Sequence, residues 1–438
     1  MAANDWREYE VSELCELIVD CVNKTAPKVD YETPYKMLRT TNVRHGVIDT
    51  QNCKYVEEHV FEKWTRRSKV LKGDILLTRE APIGEVGRIT VDDNLFLGQR
   101  LMQYRVDPSR LDSKFLLYSF LSPYLQHQFY MHEGTGSVVS HIRVGDCLKF
   151  KIPTPPLSEQ KSIANILGSL DDKIELNRQM NETLETMAQA LFKSWFVDFD
   201  PVIDNALAAG NAIPDEFFER AEQRKGIEKK DNSDIQDLFP DEFEFTEDMG
   251  WIPKGWKLIN FGEFCDIKKG KNITKSTVAE GSVPVVAGGL NPAYYHNKSN
   301  VEGPVITVSA SGANAGFINL YYQDIWASDC SYINESMSPF IFTTYSFLKY
   351  YQDKVFGLQH GAVQPHVYPK DLSRLNFIDS NEGVKIAIEK NLVSYYKKVK
   401  FNEELIETLT KLRDTLLPKL MSGELRIPDA EALVDEVL

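Results

Sequence analysis

The stretch Ser158–Trp195 reads SEQKSIANILGSLDDKIELNRQMNETLETMAQALFKSW and decides the fold. Apolar residues recur along it at spacings of four and three: Ile163, Leu167, Leu170, Ile174, Leu184, Ala188, Leu191 and Trp195, with Asn177 and Asn181 at the two seam positions between. This spacing is typical of a coiled-coil seam, which is narrower than the apolar face of an ordinary core helix. The sequence therefore predicts a long helix that packs against another long helix.

The same pattern returns 225 residues later, and only Arg413, the counterpart of Ala188, breaks it: Ile388, Leu392, Tyr395, Val399, Asn402, Ile406, Leu409, Leu416 and Leu420. Neighbouring segments also repeat: WREYEVSELCEL from Trp6 with WKLINFGEFCDI from Trp256, GDILLTREAPIGEVGRI from Gly73 with GPVITVSASGANAGFI from Gly303, and GSVVSHIRVGDCL from Gly136 with GAVQPHVYPKDL from Gly361. A globular segment followed by a long helix therefore occurs twice in this chain.

Short β-rich runs and turn signals in the globular segments predict an α+β fold. We expect two similar globular domains separated by two long helices, which pair as an antiparallel coiled coil with a pseudo-two-fold internal repeat. Parallel helices would crowd both domains at one end. The predicted boundaries are 1–156 for the first domain, 157–200 for the first helix, 201–250 for an acidic connector, 251–380 for the second domain, 381–425 for the second helix and 426–438 for a tail.

Three local predictions accompany this plan. Ser158 is expected to cap the first long helix, and Asp112 or Ser113 a helix that runs to Tyr130. Symmetry places Asn177 against Asn402, where a polar pair would fix the register of the two helices at some cost in stability.

The composition is that of a soluble globular protein, with 42% hydrophobic and 26% charged residues. No run of 18 apolar residues predicts a membrane span, and the polar start MAANDWREYE does not resemble a secretory signal. The six cysteines form no CxxC pair: Cys15, Cys21, Cys53, Cys147, Cys265 and Cys330. We therefore expect free thiols in a reducing cytoplasm.

The net charge of −14 disfavours a nucleic-acid partner at first sight. However, Pro201 to Gly250 holds 14 Asp and Glu against 5 Lys and Arg, so the other 388 residues carry a net charge of only −5. An acidic segment can coexist with basic clefts elsewhere. The net charge therefore does not decide between the possible partners.

Motifs for catalysis are missing from the sequence. NPAYY (Asn291 to Tyr295) only partly matches the (N/D)PP(Y/F) signature of DNA amino-methyltransferases, since Ala293 stands where the second proline belongs and no glycine-rich cofactor loop precedes it. GxxxxGK[ST] and HExxH are absent, so neither an ATP site nor a metal site is expected. These missing motifs therefore disfavour a methyltransferase, an ATP-binding protein and a metalloprotein.

Two similar heads joined by a rigid helix pair suit a long target that carries two marks. Duplex DNA is such a target, and the differences between the heads predict an asymmetric bipartite site with an unread gap. Two alternatives remain open. The chain would instead be a coiled-coil scaffold with two heads that bind no DNA, or a solitary DNA-binding protein.

The chain resembles the specificity subunits of type I restriction–modification systems. The segments that carry the resemblance are TPPLSEQKSIANILGSLDDKIELN from Thr154, ALFKSWFVDF from Ala190, GDILLTREAPIGEVG from Gly73, VEGPVITVSASGANAG from Val301 and LLPKLMSGELRI from Leu416. They cover nearly the whole chain in the order of that family, in which a target-recognition domain precedes each long helix.

The resemblance implies sequence-specific binding of double-stranded DNA, with each target-recognition domain reading one half-site and the coiled coil fixing the spacer. It also implies that the subunit is not catalytic by itself. Two methylation subunits with S-adenosylmethionine would dock on the long helices, and restriction subunits would supply the ATP- and Mg-dependent activity.

Contacts to phosphates and bases require cationic and polar side chains. In the first domain the candidates are Arg39, Thr41, Asn42, Arg44, His45, Arg66, Arg67, Arg79 and Arg143, together with the loop Gly134 to His141. In the second domain they are Lys268, Lys269, Lys271, Asn272, Lys275, Ser309, Ser311, Asn314, Gln359, His360, Gln364 and His366. Which of these read bases is not decided by the sequence.

Overall fold

The computed structural model describes residues 6–132, 141–227, 233–247, 250–361 and 364–437. The chain forms two compact units. Unit 1 comprises Met1–Asn177 and Glu404–Leu438, and unit 2 comprises Arg178–Glu403. Each of the two long helices therefore contributes one half to each unit.

Helices and strands alternate irregularly along the chain, as expected for an α+β fold. The strands are β1 (Arg7–Glu10), β2 (Cys15–Asp20), β3 (Tyr35–Leu38), β4 (Val43–Arg44), β5 (Val47–Ile48), β6 (Lys54–Tyr55), β7 (Ile75–Arg79), β8 (Ile83–Arg88), β9 (Asn94–Leu97), β10 (Leu101–Val106), β11 (Lys151–Thr154), β12 (Phe243–Thr246), β13 (Gly250–Pro253), β14 (Lys257–Asn260), β15 (Lys268–Lys269), β16 (Val283–Val286), β17 (Tyr294–His296), β18 (Val305–Ser309), β19 (Ile318–Tyr321), β20 (Trp326–Ala327), β21 (Cys330–Asn334) and β22 (Asn376–Asp379). The helices are α1 (Glu58–Trp64), α2 (Ser113–Leu121), α3 (Pro123–Tyr130), α4 (Leu157–Phe196), α5 (Asp200–Ala209), α6 (Phe218–Lys225), α7 (Ser233–Gln236), α8 (Phe261–Phe264), α9 (Ile341–Tyr350), α10 (Gln352–Phe356), α11 (Pro369–Leu372), α12 (Glu382–Met421) and α13 (Ile427–Asp435).

The two units share one strand topology. The central sheet has the order β2-β10-β7-β8 in unit 1 and β15-β21-β18-β19 in unit 2. A smaller sheet with one antiparallel and one parallel pair accompanies each, β6-β3-β9 and β17-β16-β20. The first strand of each unit also pairs with the strand before its long helix, β1 with β11 and β14 with β22. The predicted internal repeat is confirmed in the order of the strands.

One inner strand of each central sheet, β7 in unit 1 and β18 in unit 2, is buried on both faces. In β7, Ile75 and Leu77 pack into the cluster formed with the helices, whereas Leu76 packs into a second cluster on the other side. In β18, Ile306 and Val305 divide in the same way. Successive side chains of a strand point to opposite faces. The continuous apolar runs ILL and VITV therefore reflect two cores rather than one.

The long helices pack through the predicted seam and run antiparallel. In unit 1, Arg413 donates from Nη1 to Asp171 Oδ1 at 2.8 Å, and in unit 2 Asn402 donates from Nδ2 to Asn181 Oδ1 at 2.8 Å. Residues later in α4 thus contact residues earlier in α12, as in an antiparallel pair. The seam residues Ile163, Leu167, Leu170, Ile174, Asn177, Ile388, Leu392, Val399, Asn402, Leu409 and Leu416 are buried, whereas Leu184 and Leu191 are half-buried.

Three of the local predictions need correction. Asn402 pairs with Asn181 rather than with Asn177, whose side chain donates to the Lys173 carbonyl. The first long helix begins at Leu157, so Ser158 lies inside it. The helix predicted to run to Tyr130 is divided at Ser122, which caps the second half ahead of Pro123. Asp112 does cap the first half, accepting a hydrogen bond from Phe115 N.

The acidic connector is anchored by a cluster of ion pairs between buried carboxylates and half-buried guanidinium groups, which we call the Asp–Arg cluster: Asp200 and Asp204 on α5, and Arg220 and Arg224 on α6. Arg220 donates to both oxygens of Asp200, from Nε at 2.7 Å and from Nη2 at 2.8 Å. Arg224 pairs with Asp204 and also approaches Asp200. Each set is spaced by four residues, so it presents one helix face to the other. The connector is therefore packed on its neighbours.

The Asp–Arg cluster predicts a pH dependence of stability. Burial alone would raise the pKa of the Asp200 carboxyl, but hydrogen bonds from Arg220 and Ser194 and the charge of Arg224 lower that pKa below its ordinary value of 3.8. A carboxyl whose pKa is lowered in the folded state stabilises fully above its unfolded-state pKa, and loses this contribution as the pH falls through the folded-state pKa. We therefore expect the free energy of unfolding of the native chain to exceed that of the Asp200→Asn variant by a constant amount from about pH 5 to pH 8. This difference is expected to shrink below about pH 4. Urea denaturation across this range measures it, and a constant advantage at about pH 3 would contradict it.

Candidate DNA interface

Three backbone hydrogen bonds gather separate segments of unit 1 at one edge. The parallel strands β3 and β9 end together, and Gly98 N donates to Leu38 O at 2.7 Å. Arg79 N at the end of β7 donates to Arg100 O at 2.8 Å, and Ile142 N donates to Arg79 O at 2.9 Å. Arg39, which follows Leu38, therefore lies at the same edge. We call this set of segment ends the recognition edge of unit 1.

The cationic side chains of this edge are held to different degrees. Arg100 is exposed, and its Nε lies 3.3 Å from Glu80 Oε1. Arg79 is half-buried and donates from Nη1 to Ile142 O at 3.1 Å. The Nε atoms of Arg39 and Arg79 are buried and donate no hydrogen bond within the described residues. Arg100 is thus the cation of this edge most accessible to a ligand.

The β4–β5 hairpin lies beside β8 and carries further candidates. Arg44 donates from Nη1 to the carbonyls of Thr40 and Val43, both at 2.6 Å, so its guanidinium stabilises its own loop. His45 is exposed at the tip, where its backbone N donates to Glu85. Asn42 is buried and donates to two backbone carbonyls, which favours a structural role for it.

The remaining candidates of unit 1 are exposed. Thr41, Arg66 and Arg143 lie at the surface, and Arg67 pairs with Asp20 at the end of β2. Residues 134–140 of the predicted polar loop lie outside the described residues, whereas His141 at its end is exposed. The sequence candidates of unit 1 therefore lie partly at the recognition edge and partly elsewhere on its surface.

Unit 2 repeats the three backbone bonds of this edge. Ser328 N donates to Val286 O at 2.8 Å, Ala310 N donates to Asp329 O at 3.1 Å, and Val367 N donates to Ala310 O at 3.1 Å. Because these bonds join the same strand ends, they define an equivalent recognition edge of unit 2 and match its positions to those of unit 1.

Polar side chains near the recognition edge of unit 2 mostly bond to one another. Ser311 Oγ donates to Asp329 Oδ2, and Gln359 Nε2 donates to Ala315 O at 2.7 Å. His360 Nε2 lies 3.4 Å from the buried Asp371. Ser309 is buried, Asn314 and His366 are half-buried, and Gln364 is exposed.

The lysines of unit 2 flank this edge. Lys268 and Lys269 form β15, which pairs with β21, and Lys271 N donates to Ala327 O at 2.9 Å. All three lysines, with Asn272 and Lys275, are exposed. Their compact, flexible charges suit phosphates better than base edges.

The comparisons with known proteins agree with this architecture. Residues 3–186 match the family model described as the type I restriction modification DNA specificity domain. The type I restriction enzyme HindI specificity subunit of Haemophilus influenzae is 26% identical over 419 residues, which cover 82% of this chain and 88% of that protein. The MjaIX specificity subunit of Methanocaldococcus jannaschii is 22% identical, with 87% and 86% covered.

The chain is similar to type I restriction–modification specificity subunits over most of its length. The crystal structure of the type I S subunit from M. genitalium shares the fold, with a TM-score of 0.57 and 19% identity over 96% of this chain and 97% of that one. The resemblance drawn from the sequence is thereby confirmed, and a scaffold without DNA-binding function is not favoured.

Sequence reasoning missed Glu80, Arg100 and Asp329 at the recognition edges. Arg100 stands alone before β10 and Asp329 alone before β21, so neither belongs to a cluster of candidate residues. Only the pairing of strands brings them to the recognition edges. Arg100 and Asp329 each precede the strand that pairs with β7 or β18, namely β10 or β21. A comparison of these positions between the two repeats would have found both residues.

Within the described residues no group of three His, Cys, Asp or Glu side chains is arranged to hold a metal ion, and no helix is long and apolar enough to cross a membrane. The six cysteines are free, as predicted. Burial raises the pKa of the Cys15 and Cys265 thiols to about 12, which keeps them protonated and unreactive.

Proposed function

We propose that each unit of this specificity subunit reads one half of an asymmetric bipartite site on duplex DNA. The observation that carries the proposal is the recognition edge, which both units build with the same backbone bonds but with unlike side chains. Equivalent backbones present side chains to DNA in the same way, and unlike side chains select different bases. The two half-sites are therefore expected to differ.

The long helices suit the roles of spacer and docking surface in this proposal. Each of them is a single helix of 40 residues, about 60 Å long. Large apolar side chains are about half exposed on them: Leu176 and Met187 on α4, and Ile386 and Phe401 on α12. Exposed apolar groups on a surface helix favour a protein partner. We assign them to the docking of two methylation subunits.

Catalysis in this proposal belongs to the partner subunits. The methylation subunits hold S-adenosylmethionine, the restriction subunits use ATP and Mg, and the specificity subunit contributes no catalytic residue and no cofactor. The six free cysteines support a reducing, cytoplasmic location.

Co-expression with a methylation subunit tests the proposal. Mapping of methylated adenines in the host genome is expected to give two unlike half-sites separated by a gap of constant length and free sequence. Failure to co-purify with the methylation subunit, or a continuous target without a gap, would contradict it.

Arg39→Ala tests the recognition edge of unit 1. Loss of a bidentate base contact is expected to weaken binding by about 1–3 kcal/mol, and only at the half-site read by unit 1. Titration of duplexes mutated in either half-site measures this. Lys54→Ala, which removes an exposed charge on β6 in the same unit, is the matched control. An equal loss on specific and random DNA would show that Arg39 contacts phosphate instead.

A further inference from the structure

The two recognition edges differ in charge at every matched position, and at one of them the charges are opposite. The backbone bonds match Arg39 with Ala287, Arg79 with Ala310, Glu80 with Ser311 and Arg100 with Asp329. Unit 1 therefore presents three arginines and one glutamate, whereas unit 2 presents two alanines, a serine and an aspartate. At one pair of matched positions the two side chains contact each other in both units, although their residue types differ. Glu80 contacts Arg100 in unit 1, and Ser311 contacts Asp329 in unit 2.

A carboxylate at a recognition edge requires a hydrogen-bond donor as its partner. Asp329 is half-buried, and no Lys or Arg of the described residues forms an ion pair with it. The Ser311 hydroxyl donates to Oδ2, which orients the group and leaves acceptor capacity on Oδ1. A negative charge facing phosphates would be repelled. In the major groove, however, the exocyclic amino groups of cytosine and adenine donate hydrogen bonds that a carboxylate accepts.

The surroundings of Asp329 separate the two tasks of binding. Gly270 N donates to Cys330 O at 2.8 Å, and Lys271 N donates to Ala327 O at 2.9 Å, so the lysine segment runs directly beside the chain around Asp329. Lysine charges beside the edge can neutralise phosphates on either side of the groove. The attraction that brings DNA to unit 2 then comes from the lysines, and the single acidic acceptor is left to select a base.

We propose that Asp329, positioned by Ser311, is a specificity-determining residue that accepts a hydrogen bond from the exocyclic amino group of a cytosine or adenine in the half-site of unit 2. The inference rests on the proposed function of the two units. In unit 1 the same position presents Arg100, whose guanidinium matches the O6 and N7 acceptors of guanine. The matched position thus reads a base donor in one unit and base acceptors in the other.

A double-mutant cycle between protein and DNA tests this proposal. The complex with the methylation subunit is titrated with duplexes of the mapped site, in which each cytosine or adenine of the unit 2 half-site is replaced in turn by an analogue that lacks the amino group. With the unaltered chain, removal of one amino group is expected to weaken binding about 10- to 100-fold. With Asp329→Ala the same removal is expected to have no further effect. The base at which the two changes are coupled, cytosine or adenine, identifies the donor.

Two control variants keep the outcome decisive. Asp329→Asn retains an acceptor for Ser311 and guards against a folding defect, which thermal melting would reveal. Asp324→Asn removes an exposed carboxylate elsewhere in unit 2 and is expected to show no coupling to any base. If no amino group couples to Asp329, or if the loss is equal on all sequences, the role of Asp329 is overturned. Absence of any bipartite site with the unaltered chain would instead overturn the proposed function.

Discussion

Asp200→Ala is expected to lower the free energy of unfolding by about 1.5–3 kcal/mol, because it removes the buried acceptor of charge-assisted hydrogen bonds from two half-buried arginines. Asp200 is only 2% exposed. It accepts two hydrogen bonds from Arg220, one from Ser194 at 2.7 Å, and the charge of Arg224 at 3.4 Å. Replacing it removes this acceptor, while the half-buried Arg220 and Arg224 remain in the connector without it.

Urea denaturation of the native chain and the variant measures this loss. Glu222→Ala is the matched control, since Glu222 lies on α6 with Arg220 and Arg224 and pairs with Lys225, but both of these side chains are about half exposed. An exposed pair of this kind contributes less than about 1 kcal/mol. Equal effects of the two substitutions would show that the Asp–Arg cluster does not hold the connector in place.

Deleting residues 176–182 and 401–407 together is expected to reduce modification of the native target by about 10³-fold and to create a target with a shorter gap. The two segments are counterparts in the repeat and contain both members of the Asn181–Asn402 pair. Seven residues are one period of the seam, so the remaining apolar residues stay in phase. The helices shorten by about 10 Å, which corresponds to about 3 base pairs of DNA.

Methylome mapping after co-expression with the methylation subunit measures both the half-sites and the gap. The half-site sequences are expected to persist, since both recognition edges are untouched. Deletion of residues 176–182 alone is the control, because it mismatches the two helices and is expected to abolish modification altogether. An unchanged target and gap in the double deletion would refute the role of the helices as a spacer.

The periodic apolar pattern sufficed to predict the long helices, their pairing and the repeat. The pattern did not predict which residues touch. Repeat symmetry makes Asn402 the counterpart of Asn177. In an antiparallel pair, however, a residue contacts its own counterpart only at the centre of the pair. Elsewhere it contacts the counterpart of a different residue. The side chains of the seam have to settle the register, and they place Asn181 opposite Asn402, one turn from the symmetric expectation.

The recognition edges were only partly accessible to sequence reasoning. Clusters such as LRTTNVRHG and IKKGKNITK were recognisable from their composition. Arg100 and Asp329 were not, because strand pairing between distant segments puts them in place. Burial also distinguishes polar candidate residues that look alike in the sequence. Asn42 and Ser309 are each 3% exposed, whereas Asn272 is at the surface.

The burial of β7 and β18 on both faces bears on how new DNA targets arise in evolution. Successive residues of these strands, such as Leu76 and Leu77, pack into different cores, so substitutions there endanger the whole unit. The positions at the ends of these strands, Arg79 and Ala310, belong to none of these core clusters and already differ between the units. A lineage can therefore exchange the letters that it reads while inheriting the architecture intact, and a single chain already holds two divergent outcomes of that process.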